Sequence, residues 1–317
     1  MRRNQPLLAF FQLIRYPNLL FIALTQSLFY FQIIVPFCSI DGKYGHLLQQ
    51  DDFLMLLASS ILIAAAGYII NDYFDIDIDN VNKPERLIVG KLIKRRWAML
   101  LHLILSLVGL YLTAIVAMHL NNLVLLALNF LSVLLLLLYS STFKKRLLIG
   151  NIIISVLTAW VVGVLFITEL KFNDIDFRRD HMDALTTIYK YTLVYGGFAF
   201  IVSMIREVVK DMEDLQGDRK FGCTTMPIVW GIPSTKIFAG VWIIVLAAMI
   251  AAFTLYAILN AWFWMIPVLG FMLFAYTLFI LQRLYRASAA PDYTNISMNI
   301  KILMLMGILS MLLYSFQ

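Results

Sequence analysis

Hydrophobic residues run along this chain in long unbroken blocks rather than in the one-faced stripes of a soluble helix. The clearest, FLMLLASSILIAAAGYII at residues 53–70, holds eighteen consecutive positions without a charge. An α-helix needs about 20 predominantly apolar residues to cross a bilayer. Nine runs approach or exceed that length, at 18–40, 53–72, 97–118, 121–140, 148–168, 188–207, 237–258, 262–282 and 298–316. They predict an all-α polytopic membrane bundle of nine transmembrane helices, read as a single domain over residues 1–317. The first run lies behind MRRNQPLLAFFQLIRYPN and is followed by no small-residue cleavage pattern, so no removable signal peptide is expected.

Composition excludes a soluble domain on its own. The chain is 62% hydrophobic and 14% charged, where a soluble domain carries about a quarter charged residues. Charge then orients the predicted bundle. Twenty of the 25 Lys and Arg residues fall on one side of it, which the positive-inside bias makes the cytoplasm. The N-terminus is therefore expected inside and the C-terminus outside. The net charge of +6 reports this topology and contact with lipid headgroups, so no nucleic-acid partner is implied. Cys38 and Cys223 fall at opposite faces of the bundle and are not expected to pair.

The candidate chemistry lies where two of the runs end. NDYFDIDID follows the second run, and KDMEDLQGDRKFGCTTMPIVWG follows the sixth, on the same predicted side. Asp72, Asp75 and Asp79 are spaced three then four, and so are Asp211, Asp214 and Asp218. On a helix that spacing puts three carboxylates on one face, with Asn71 sharing the face of Asp75 and Asp77 turned away into solvent. Two such faces brought together across the mouth of a bundle would repel unless a cation held them. Hard oxygen donors from Asp and Asn suit Mg²⁺, which keeps several waters and bridges carboxylates to substrate phosphates. The plainer alternative is a pair of solvated loop clusters.

Basic residues are interleaved with these acids: Lys83 and Arg86 after the first cluster, Lys144, Lys145 and Arg146 in the fourth-to-fifth connection, and Lys210, Arg219 and Lys220 around the second. Arg clamps phosphate bidentately and Lys offers a point charge, so the mixture suggests metal plus phosphate rather than a bare cation site. For Lys144 to Arg146 the topology signal alone is an equal reading. Asn82, Pro84 and Gly90 punctuate a shaped turn. Tyr139 closes the fourth run, where its ring could face a developing carbocation or serve as an interfacial anchor. His46, His102, His119 and His181 show no paired metal-ligand spacing, and neither a phosphate-binding glycine loop nor a Ser-His-Asp arrangement is present.

The two motifs, N-D-x-x-D-x-x-x-D in NDYFDIDID and D-x-x-x-D in DLQGD, resemble the signatures of the UbiA superfamily of intramembrane prenyltransferases. The resemblance covers nearly the whole chain and implies nine helices with both motifs on cytoplasmic loops after helices two and six. It implies that Asn71, Asp75, Asp214 and Asp218 hold Mg²⁺ against the diphosphate of an isoprenoid donor, supported by Asp72, Asp79 and Asp211. Arg86, Lys144 or Lys145, and Lys210 would then contact diphosphate oxygens, and the prenyl tail would lie in a groove open to lipid. IDNVNKPERLIVG and REVVKDMEDLQGDRKFGCTTMPIVWG are most similar to the branch that joins geranylgeranyl diphosphate to geranylgeranylglyceryl phosphate in ether-lipid synthesis. The stretch Arg86-Leu87-Ile88-Val89-Gly90 departs from the R-P-[IL]-x-S-G ending common in the family. Prenylation of a quinone-precursor ring or a chlorophyll-synthase-like acceptor remains the alternative, in a bacterial or archaeal cell membrane with the site on its cytoplasmic side. A cation or phosphate transporter is the reading from another class, and it is disfavoured because the charges gather at one face rather than at mid-membrane.

Overall fold

The computed structural model describes residues 5–38, 47–82, 84–172 and 174–316, and among them every regular element is a helix. Among the described residues nine helices are long and apolar enough to span a membrane: Tyr16–Phe37, Gln50–Phe74, Arg95–His119, Leu123–Ser141, Ile149–Thr168, Met182–Glu213, Gly231–Leu259, Met265–Arg286 and Ala290–Tyr314. All nine predicted runs reappear in order. The second and sixth are longer than expected, because a helical backbone continues past the point where apolar side chains stop. A short helix, Ile175–Asp180, occupies the polar segment between the fifth and sixth spans.

The chain divides into two compact units. The first comprises Met1–Ser27, Ile34–Lys144 and Val161–Lys190, and the second Leu28–Ile33, Lys145–Trp160 and Tyr191–Gln317. In the first, the second, third and fourth spans pack on one another. Lipid tails are as apolar as Leu, so helices in a bilayer associate through close packing of small residues and through buried hydrogen bonds. Both are present here. Ser59 Oγ lies 2.7 Å from both the Gly109 carbonyl and Thr113 Oγ1, and Asn129 Nδ2 donates to Thr113 Oγ1 at 3.0 Å. A Cβ at Gly109 would stand 2.9 Å from Ile63 Cγ1 and 3.3 Å from the Ser59 carbonyl oxygen. Gly109→Val is therefore expected to force the second and third spans apart at a cost of about 1–3 kcal/mol, read as a lowered thermal midpoint of the detergent-solubilised protein.

In the second unit the sixth span supplies the core with Val202, Met204, Ile205, Val208, Val209 and Met212, which pack with residues of the seventh, eighth and ninth spans. Close approaches recur there: a Cβ at Gly307 would run into the Phe198 ring, and one at Gly270 into Thr254 Oγ1. These packed faces fix the rotation of the sixth span. Its opposite face carries the polar residues of the second motif.

The histidines are structural where described. His102 bonds the Ala66 carbonyl, His119 pairs with Asp52 and His181 bonds the Phe177 carbonyl, while His46 lies outside the described residues. Cys223 is buried, and the side chain of Cys38 lies outside the described residues.

Candidate active site

Both motifs share one backbone device. The second span ends at Phe74, Asp75 turns with φ −91° and ψ 0°, and a new helix runs Ile76–Asn82. The sixth span ends at Glu213, Asp214 turns with φ −91° and ψ 7°, and a new helix runs Leu215–Lys220. Each motif, expected on a loop, is thus helical on both sides of its middle aspartate, which itself sits in the sparsely allowed bridge region. The helical hydrogen-bond ladder nonetheless crosses each break. Asp75 N donates to Asn71 O at 3.0 Å and Asp79 N to Asp75 O at 2.8 Å; Asp214 N donates to Lys210 O at 2.9 Å and Asp218 N to Asp214 O at 3.2 Å. The three-four spacing keeps its face because the ladder does, even though the axis bends.

The first cluster is dense. Asp75 is 1% exposed, and its Oδ2 accepts from Asn71 Nδ2 at 2.7 Å and from the Lys144 ammonium. Its Oδ1 is buried with no hydrogen-bond partner among the described residues. Lys144 lies in the one-turn helix Phe143–Lys145. Burial opposes its charge, but Asp75 first, then the buried Tyr139 phenol, more than offset this and raise its pKa above the ordinary lysine value. Asp79 is pushed up, by burial first and then by the Asp75 carboxylate, with Lys144 pulling the other way. Asp77 is exposed, as its phase requires.

Asp72 has a partner the sequence did not assign. Arg15 Nη2 donates to Asp72 Oδ1 at 2.7 Å while its guanidinium lies 5.2 Å from the Tyr68 ring centroid. Burial opposes the guanidinium's charge, yet Asp72 and then Tyr68 hold its pKa above the ordinary arginine value. Arg15 joins the N-terminal helix Gln5–Leu13 to the first span with φ +51°, a left-handed conformation unusual for a side-chain-bearing residue. In the sequence it counted only toward topology; Pro17 two residues later, at the start of a helix, was the signal that a shaped junction lay there.

The loop between the second and third spans is a folded element. After the turn Pro84–Arg86, the Ile88 carbonyl accepts from Lys91, Leu92 and Ile93, and Gly90 takes φ +90°. Val89 is 1% exposed and packs with Ile69 and Ala98. Core packing thus accounts for an apolar residue at this point of the loop. The side chain of Arg86, like all of Lys83, lies outside the described residues.

In the second cluster Asp211 Oδ2 accepts from Asn151 Nδ2 at 2.9 Å, joining the sixth span to the fifth. Asn151 is 7% exposed. An uncharged residue inside GNIII gave no chemical signal in the sequence, although a buried Asn in a span needs a partner. Asp218 is buried, Asp214 and Lys210 are half-buried on the same helix face, and Asp218 O accepts from Cys223 N at 3.0 Å. The Lys145 carbonyl accepts from Thr224 N at 2.8 Å, so its backbone fastens the loop after the motif.

Hard carboxylate and amide oxygens, among them the buried Asp75 Oδ1 without a hydrogen-bond donor, form a donor set that fits Mg²⁺. No three His, Cys, Asp or Glu side chains gather as a metal cage among the described residues. That too is compatible with Mg²⁺, which is typically held by one or two carboxylates, waters and substrate phosphates rather than by an all-protein cage.

Nine candidate spans among the described residues, with two acidic motifs flanked by basic residues, define a polytopic helical membrane protein. The chain belongs to the UbiA prenyltransferase family, which it matches over residues 43–314, and it is a prenyltransferase. It is 34% identical over 226 residues to the digeranylgeranylglyceryl phosphate synthase of Methanothermobacter thermautotrophicus, covering 69% of this chain and 70% of that one. Its fold is similar to a solved structure of digeranylgeranylglyceryl phosphate synthase in membranes, with a TM-score of 0.65, 24% identity and 97% coverage of each chain. It is similar also to a UbiA homologue from Archaeoglobus fulgidus bound to GPP and Mg²⁺, with a TM-score of 0.59, 16% identity and coverage of 96% of this chain and 99% of that one.

Proposed function

We propose that the chain catalyses Mg²⁺-dependent transfer of a geranylgeranyl group from geranylgeranyl diphosphate to the free glyceryl hydroxyl of geranylgeranylglyceryl phosphate. The observation that carries the metal-dependent part is the buried Asp75 carboxylate, with one oxygen committed to Asn71 and Lys144 and the other without a donor. The acceptor rests on the likeness to synthases of that name. Asn71 and Asp75 on one motif, and Asp214 and Asp218 on the other, are the residues that would hold Mg²⁺, each set backed by its neighbouring acids Asp72, Asp79 and Asp211. Bound there, the metal would neutralise charge growing on the diphosphate.

The protein's own groups do the rest. Lys144, Lys145, Lys210 and Arg86 bind diphosphate oxygens and stabilise the leaving group as the allylic C–O bond breaks. The bundle interior keeps water from the allylic carbon until the acceptor oxygen bonds to it and the hydroxyl proton passes to the departing diphosphate. The Tyr139 ring, buried at the end of the fourth span, faces the developing cation. We read residues 1–317 as one prenyltransferase domain, because the family match runs through both compact units. The charge bias of the connections supports an active site on the cytoplasmic side of a cell membrane, with the N-terminus inside and the C-terminus outside.

The test is a reconstituted assay with labelled geranylgeranyl diphosphate, with and without Mg²⁺, offering geranylgeranylglyceryl phosphate or a quinone-precursor ring. Mg²⁺-dependent label in the doubly prenylated glyceryl phosphate is the expected result. Label only in the ring product would overturn the acceptor, and transfer undiminished by chelator would overturn the metal.

A further inference from the structure

The polar face of the sixth span does not stop at the acidic motif. Ser203, Arg206, Glu207, Lys210 and Asp211 recur at i, i+3, i+4, i+7 and i+8, the phase of a single helix face. The stripe thus runs inward from Asp211 by two turns. Its outer members meet the fifth span, through Ser203 Oγ to Thr158 Oγ1 at 3.1 Å and Asp211 to Asn151 at 2.9 Å. The intervening Arg206 is an arginine inside a membrane span, a costly placement that marks function.

Its bonding is incomplete. Arg206 Nη1 donates to Glu207 Oε1 at 2.8 Å, with side-chain exposures of 19% and 12%. Its Nε is buried with no hydrogen-bond partner among the described residues. A guanidinium carries five donors in a rigid fork that matches two oxygens of a phosphate. With Nη1 committed to a carboxylate, the Nε/Nη2 edge is the one left for such a pair of oxygens. A buried N–H without an acceptor is destabilising, so a structural ion pair alone leaves this edge unexplained.

We propose that Arg206 is the acceptor-binding residue, its Nε/Nη2 edge receiving the acceptor's own phosphate. Four residues of helix separate it from Lys210, placed above on the donor's diphosphate, about 6 Å along the axis. That rise suits a glyceryl phosphate whose hydroxyl reaches the reacting carbon while its phosphate is kept clear of the donor's diphosphate. The arrangement makes Arg206 a specificity device: a neutral ring acceptor brings no anion to this site. The inference rests on the ether-lipid reading of the function.

The test compares geranylgeranylglyceryl phosphate with geranylgeranylglycerol, its dephosphorylated counterpart, in wild type, Arg206→Gln and Arg206→Lys. Wild type is expected to favour the phosphate-bearing acceptor by at least tenfold in kcat/KM. Arg206→Gln should raise the KM for that acceptor at least tenfold, leave the donor KM within twofold and abolish the preference; Arg206→Lys, keeping the charge without the fork, should fall between. An unchanged acceptor KM, or equal losses with both acceptors, would overturn the role. If Arg206→Gln fails to fold, Arg206→Lys carries the same comparison at an unshifted thermal midpoint. A wild type that prenylates only a ring acceptor would instead overturn the ether-lipid reading, and this assignment with it.

Discussion

Asp75→Asn should lower prenyl-transfer turnover by more than about a thousandfold at saturating donor, with the protein still folded. The carboxylate is 1% exposed, and its Oδ1 is the buried oxygen left without a hydrogen bond. Asn keeps the shape and can still accept from Asn71, but it offers a neutral amide where a hard divalent cation needs an anion. Metal assistance of charge separation is worth several kcal/mol, and each 1.36 kcal/mol is tenfold in rate. Folding should survive because the deserted Lys144 is 30% exposed on its side chain and can carry its ammonium to water. Asp77→Asn is the control: this residue is exposed, and its loss should leave turnover within twofold. Turnover by Asp75→Asn near the wild-type value at saturating Mg²⁺ would remove the metal assignment from this motif.

Much of the fold was legible because hydropathy and span length are set by the bilayer itself. All nine spans lie where the apolar runs are. The ends were not, since a helix does not stop where its side chains become charged. Met182–Glu213 exceeds the predicted 188–207 at both ends, and the outward extension carries Lys210 and Asp211 on the helix proper. The expected loop at 71–96 likewise opens with helix and contains a second one. Spacing identified both acidic faces, and the hydrogen-bond ladder explains why this succeeded despite a bend at Asp75 and at Asp214. The partners were less visible. Arg15 reaches Asp72 across 57 residues of sequence and Asn151 reaches Asp211 across 60, and no local pattern encodes a tertiary hydrogen bond. Arg206 stood in plain view as a charge within a span, yet it was counted only toward topology. An ionisable residue among apolar neighbours was the signal to follow.

Lys144→Met separates catalysis from stability and should give the second largest loss, about a hundred- to a thousandfold in turnover, the range seen when one preorganised stabiliser of developing charge is removed. Its stability consequence differs from that of Asp75→Asn. Met leaves the 2%-exposed Asp75 side chain as a carboxylate with no cation beside it and no route to water, and removing one partner of a buried pair costs about 3–5 kcal/mol. Lys144 is the more exposed partner, so the lower end of that range is expected, as a clear fall in thermal midpoint. In the double variant Asp75→Asn/Lys144→Met both charges are gone. Its thermal midpoint should recover most of the way to wild type, because the stranded carboxylate was the cost, whereas turnover should stay at or below that of either single variant. The stability terms compensate through the pair; the catalytic terms do not, since each group serves a separate requirement of diphosphate departure. A double variant as unstable as Lys144→Met alone would mean that the ion pair is not what holds this corner of the fold, and turnover regained alongside stability would mean that neither residue acts on the substrate.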